Sequence, residues 1–119
     1  AHHEDRKHPR FKVDQQVFTV VKGDNETLGE VLDVSEGGLA LKYVAGIGSP
    51  VSEGLLDMFA TGGKVYLKDV PVRAASDFEL PNEVDFSTIR LRRMGVAFKN
   101  LTDPQQQAIR DFIRENGTN

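Results

Sequence analysis

Apolar and polar positions alternate along most of the chain, in short runs set apart by glycine, proline and acidic residues. Phe11, Val13, Val17, Phe18, Val20 and Val21 are spaced mainly for extended backbone, with a kink expected near Asp14-Gln15-Gln16. Lys22-Gly23-Asp24-Asn25-Glu26 has the composition of a turn. Strands are expected at Leu28 to Asp33 and at Leu39 to Tyr43, paired as neighbours, the second with Leu39, Leu41 and Tyr43 alternating against Ala40 and Lys42. Residues 45–54 are rich in Gly, Ser and Pro and read as a loop, and residues 51–60 read as a strand in preference to a short helix. Beyond the Gly62-Gly63 turn, Val65, Leu67, Val70, Val72 and Ala74 predict a long strand, interrupted at Asp69 or Pro71 by a bulge or an edge. Phe78 to Phe86 read as a loop. Ile89, Leu91, Met94, Val96 and Phe98 predict a further strand whose phase shifts at Arg93, as a bulge beside Gly95 would cause.

The last element is a helix over about residues 103–116. Asp103 is expected to cap it, Pro104 suits its first position, Gln106 would close a capping box, and Asn116-Gly117 ends it. Ala108, Ile109, Phe112 and Ile113 form its apolar face. About six strands followed by one helix, without a βαβ rhythm, predict a mainly β chain: a six-stranded antiparallel barrel with a C-terminal α-helix packed on it.

Composition narrows the function. A chain of 119 residues suits one domain with a single core. At 39% hydrophobic and 28% charged residues it is ordinary for a globular protein, and no apolar run approaches a membrane span, so neither a span nor a secretory leader is expected. Cysteine is absent, which excludes disulfides and thiolate metal sites and fits a reducing compartment. The net charge of −3 argues against a general DNA or RNA binder. Phe11, Phe18, Phe98 and Phe112 fall on core-facing patterns, which also disfavours a barrel for single-stranded nucleic acid.

The chain is organised around Asp33-Val34-Ser35-Glu36-Gly37-Gly38, a polar knuckle between two apolar runs. In extended backbone Asp33 and Ser35 share one face and Val34 points to the other, toward the core. Gly37 and Gly38 offer positive φ or a close backbone approach. Taken alone, the knuckle also fits a polar hairpin turn. Near the start, Arg6, Lys7, Arg10 and Lys12 make a locally basic segment that Pro9 keeps extended or turning; taken alone, this is a solvated tail.

Together the two segments carry a chemistry. An arginine fork matches the O6/N7 edge of guanine and the oxygens of a phosphate, each with two hydrogen bonds. A carboxylate such as Asp33 accepts from the N1–H and N2–H of guanine, a donor pair adenine does not offer on that edge. Ser35 could donate to phosphate or fix the turn. Catalysis finds no matching arrangement: His2, His3 and His8 all lie in the N-terminal segment, no phosphate-binding loop is present, and acidic pairs such as Asp77 and Glu79 are most simply solvent-facing. The expected class is a binding module, not an enzyme, with no metal and no cofactor.

Arg6-Lys7-His8-Pro9-Arg10 fits RxxxR and Asp33 to Gly38 fits [D/N]xSxxG. In that order the pair resembles the PilZ domain family of bacterial cyclic di-GMP receptors, and Arg93-Met94-Gly95-Val96-Ala97-Phe98 before the terminal helix is similar to the family's later strand. The resemblance covers essentially the whole chain. It implies a six-stranded barrel with a C-terminal helix that binds the dinucleotide without processing it. By that analogy residues 1–12 form a mobile clip on a single domain of residues 13–119. Arg6 and Arg10 would wrap guanine and phosphates, and Asp33 and Ser35 would contact ligand from the barrel, with Gly37 and Gly38 making the turn. Lys7 lies within the clip, and Asp5 stands where the family varies in the number of ligands bound. Arg93, near Gly95, would be a further phosphate contact for a second ligand molecule, or else a solvated or salt-bridged strand residue. The resemblance also implies a cytoplasmic protein that signals to a protein partner or a fused output domain, in control of motility or biofilm. The alternative is a PilZ-like interaction module that has lost nucleotide binding.

Overall fold

The computed structural model describes residues 9–13, 16–46, 52–81 and 89–118. Six strands close a barrel in the order β2 (Val17–Lys22), β5 (Glu53–Ala60), β6 (Val65–Glu79), β7 (Leu91–Phe98), β4 (Gly38–Val44) and β3 (Glu26–Ser35), and pairing of β3 with β2 completes the ring. All these pairings are antiparallel. The ten-residue β3 has two partners along one edge. Its first half pairs with β2, and Asp33 and Val34 pair with β1 (Phe11–Val13), which lies outside the ring. The run from Phe11 to Val21 is therefore two strands, where one kinked strand was expected. The two-residue β8 (Gly117–Thr118) adds to the outer edge of β1.

The α-helix α1 (Asp103–Asn116) closes the core from outside, with Ile109 and Phe112 buried among Val17, Leu41, Leu56, Met58, Val72 and Met94. Phe112 meets Tyr66 edge-on at 4.8 Å between ring centroids. The helix begins one residue earlier than its sequence signals suggest. Thr102 is the N-cap, its hydroxyl accepting from the Gln105 amide at 3.2 Å while the Gln105 side chain accepts from the Thr102 amide at 3.0 Å. Thr102/Gln105 and Asp103/Gln106 have the same spacing; Pro104 at the start of the helix fits either.

Bulges decide which side chains face out. On β3 the pairing slips between Val31 and Asp33, so Val31 and Val34 enter the core while Asp33 and Ser35 share the outer face. On β6 it slips between Ala74 and Ser76, opposite Val96 and Gly95. The expected bulge beside Gly95 thus sits on the partner strand, and β7 keeps its phase, with Leu91, Arg93, Gly95 and Ala97 outward. Beyond the slip Ser76 and Phe78 point outward, and β6 runs on to Glu79 through residues expected to be loop. Asp69 lies in one of two further slips, both between β5 and β6, at φ 53°, its amide donating to the Asp57 carboxylate at 2.8 Å. Phe18 is not a core residue: Val17, Thr19 and Val21 are buried, which turns Phe18 outward to meet Phe59 at 6.4 Å.

Candidate functional site

Three guanidinium and carboxylate groups from distant parts of the chain meet on the outer face of β3. Asp33 lies opposite Lys12 of β1 and Ala40 of β4. From the β1 side, Arg10 Nη1 reaches Asp33 Oδ1 at 3.1 Å; from the β7 side, Arg93 Nη2 reaches Asp33 Oδ2 at 2.8 Å. Arg93 pairs with Lys42, so its side chain crosses β4 diagonally toward β3. Ala40 makes that crossing possible because it presents only a methyl group on this face. The Asp33 side chain is 15% exposed and those of Arg10 and Arg93 are 37% and 26% exposed, so the cluster is open to solvent from above. Each guanidinium donates one N–H to Asp33 and retains its other donors.

The turn beside this cluster is locked by its own side chain. Ser35 is buried; its Oγ accepts from the Gly37 amide at 3.1 Å and donates to the Gly38 carbonyl at 3.3 Å. Of the two roles open to Ser35 in the sequence, fixing the turn is the one this geometry displays. The Gly37 carbonyl accepts from the Phe98 amide at 2.9 Å. Gly38 serves close approach and not positive φ, since a Cβ there would lie 2.1 Å from the Val96 carbonyl oxygen. Glu36 binds Arg110 of α1 at 2.9 Å and so ties the turn to the helix.

Asp33, Ala40, Gly95 and Ser76 form one outward row across β3, β4, β7 and β6. Gly95 keeps that row low, because a Cβ on it would come within 2.7 Å of Ser76 Oγ. Of the residues singled out in the sequence, Arg10, Asp33 and Arg93 are in direct contact, Ser35, Gly37 and Gly38 form the adjoining turn, and Gly95 lies in the same row. Asp5, Arg6 and Lys7 lie outside the described residues. Sequence reasoning missed Glu36, Arg110 and Ala40; for Ala40 the signal was present, as a small residue out of phase with Leu39 and Leu41.

Behind β7, on the inner side, the Tyr43 hydroxyl donates to Asp77 Oδ2 at 2.6 Å and Arg92 Nε donates to Asp77 Oδ1 at 2.9 Å. Burial, reinforced by the bond to Asp77 and only partly offset by Arg92, pushes the Tyr43 phenol up to about 12. Asp77 also raises the affinity of Arg92 for its proton. This group fastens β4, β6 and β7 beneath the site. Among the described residues no cluster of three His, Cys, Asp or Glu side chains could hold a metal ion, and no helix is long and apolar enough to cross a membrane.

The PilZ domain family model matches residues 4–115. Solved structures with the same fold include the PilZ domain of YcgR from Escherichia coli with c-di-GMP, at 16% identity, TM-score 0.74, and coverage of 95% of this chain and 92% of that one. The K. pneumonia MrkH–c-di-GMP complex matches at 15% identity and TM-score 0.73, over 95% of this chain and 52% of that one. The Bacillus subtilis inhibitor of motility MotI/DgrA matches at 19% identity and TM-score 0.61, over 95% and 51%. This chain spans about half the length of the MrkH and MotI chains. Among curated proteins none matches by sequence.

Proposed function

The chain belongs to the PilZ domain family, and from that premise we infer that it is a receptor for cyclic di-GMP, which it binds and does not transform. The observation that carries this reading is the meeting of Arg10 and Arg93 on Asp33, beside the Ser35–Gly38 turn. Two guanidiniums suit two phosphodiester groups, and they also suit the O6/N7 edge of guanine. As the arginines turn to the ligand, the carboxylate they leave accepts from N1–H and N2–H of a guanine, which is what separates this base from adenine. The bound structures of YcgR and MrkH carry c-di-GMP on the same fold, and that likeness supports the same ligand here.

Residues 1–12 act as a clip on the barrel and helix of residues 13–119. Of this segment residues 9–12 are described, with Phe11 and Lys12 paired to β3; Arg10, and Arg6 with Asp5 and Lys7 around it, supply its two arms. With ligand present the arginines gain phosphate and guanine partners, and the segment folds over the barrel face; its new position is the signal that a protein partner or fused domain in the cytoplasm reads. Motility or biofilm formation is the kind of output such a receptor would serve. A calorimetric titration with cyclic di-GMP, with GTP and cyclic di-AMP as controls, tests ligand and base selectivity together. Saturable heat with cyclic di-GMP and far weaker binding of cyclic di-AMP is the expected result. Equal binding of the two dinucleotides removes Asp33 from base selection, and absence of heat removes the receptor reading. Amide exchange in the clip that is the same with and without ligand would count against the switch.

A further inference from the structure

Phe78 is an exposed aromatic side chain placed on the same outer face as Asp33 and Arg93. It is 47% exposed, and it lies directly opposite Arg93 across the β6–β7 ladder. Its direction depends on the bulge between Ala74 and Ser76. In unbroken alternation with the buried Val70 and Val72, position 78 would face the core. The bulge turns the ring outward and leaves it open to water. Between the two ends, Asp33 on β3 and Ser76 on β6, stand only Ala40 and Gly95, and the side chain that lies over that span is that of Arg93, which reaches across β4 to Asp33. Four adjacent strands put those ends about 14 Å apart. One end carries a carboxylate and two guanidiniums; at the other, the exposed ring of Phe78 stands two residues beyond Ser76 on β6, in the row of Arg93 and Lys42.

The geometry points to Phe78 as a stacking platform for the second guanine base of the dinucleotide, a specificity residue outside both sequence motifs. This assignment rests on the receptor reading above. Aromatic rings hold bases by their faces, with no need of hydrogen-bond partners, and Phe78 has no polar group to offer. Neighbouring Arg93 places positive charge next to the stacked base and its phosphate. A ligand with one base at Asp33 and a second at Phe78 uses both ends of the face. A mononucleotide such as GTP uses one, so Phe78 favours the dinucleotide over GTP.

The chain contains no tryptophan, so Phe78→Trp introduces a single indole reporter at the proposed contact. The full chain and its Phe78→Ala and Phe78→Trp variants are titrated with cyclic di-GMP by calorimetry, and Phe78→Trp also by emission. Expected are a loss of about tenfold in affinity for Phe78→Ala with an unchanged thermal melt, and an emission change in Phe78→Trp that saturates with the calorimetric heat. If the unaltered chain binds while Phe78→Ala stays within twofold of it and the Phe78→Trp emission does not move, the stacking platform is overturned and the receptor reading stands. If the unaltered chain gives no heat, both fall.

Discussion

Asp33 and Arg93 stand 60 positions apart in the chain, yet their side chains meet at 2.8 Å across the intervening strand β4. Arg10 occupies the other carboxylate oxygen, so the acid that gives the second motif its character is held from both sides. Such exposed pairs add little to stability, on the order of 1 kcal/mol or less each; their value lies in where they hold the guanidiniums. Arg10→Ala is therefore expected to leave the thermal melt nearly unchanged. It should weaken cyclic di-GMP binding by more than about 1.5 kcal/mol, or more than about tenfold, because bonds to a phosphate or a guanine edge are lost. Calorimetry beside a melt separates the two effects, and unchanged affinity would remove Arg10 from the site.

The turn after Asp33 answers differently to substitution. Gly38→Ala drives a Cβ into the Val96 carbonyl, which is backbone and can yield only if β4 and β7 part. A loss of about 3 kcal/mol in denaturant unfolding is expected. Ser35→Ala leaves the Gly37 amide without its partner and should cost about 1–3 kcal/mol. Both changes act through the barrel, so affinity measured on the folded fraction should fall less than it does for Arg10→Ala.

The strands and the helix were legible because their alternation is local: Leu39, Leu41 and Tyr43 identify a core face without knowledge of any partner. The outward direction of Asp33 and Ser35 and the inward direction of Val34 were legible for the same reason. What could not be read was which strand carries an extra residue. A slip at Gly95 and a slip at Ala75 leave similar traces in sequence, and only the ladder between β6 and β7 shows that β6 bulges. Phe78 followed from that error, being taken for loop when the bulge makes it an outward strand residue. Phe18 was misplaced because Val17, Phe18, Val20 and Val21 admit two phases, and the buried Thr19 decides for Val17 and Val21. The pairing of Arg93 with Asp33 depends on the order β3-β4-β7, which no local pattern encodes.

The cap of α1 gives a sharp contrast between adjacent residues. Thr102→Ala removes the hydroxyl that accepts from the Gln105 amide and should cost about 1 kcal/mol. Asp103→Ala removes only a first-turn acid and should cost a few tenths of that, through the helix dipole. Denaturant midpoints of the two variants decide between the caps, and a larger effect at Asp103 would contradict the Thr102 assignment.

Tyr43 predicts a pH dependence with a definite sign. Its phenol holds its proton more tightly folded, at about 12, than its ordinary value of 10.0. The stability this contributes is fully present below pH 10 and is lost as the pH rises from there through about 12. Tyr43→Phe should be less stable at neutral pH by about 1.5 kcal/mol, the loss of a bond to the Asp77 carboxylate. The gap between the two proteins should narrow in alkali. Denaturant midpoints followed from pH 8 to 11.5 test this, and a constant gap would refute it.

The account places the ligand on one side of the barrel, and an amide-resolved NMR titration with cyclic di-GMP reads that placement directly. Perturbations should concentrate at residues 10–12, 33–40, 76–78 and 93–97, with the β2–β5 face around Phe18 and Phe59 unmoved at saturation. Shifts centred on β2 and β5, or a spectrum that cyclic di-GMP leaves unaltered, would contradict it.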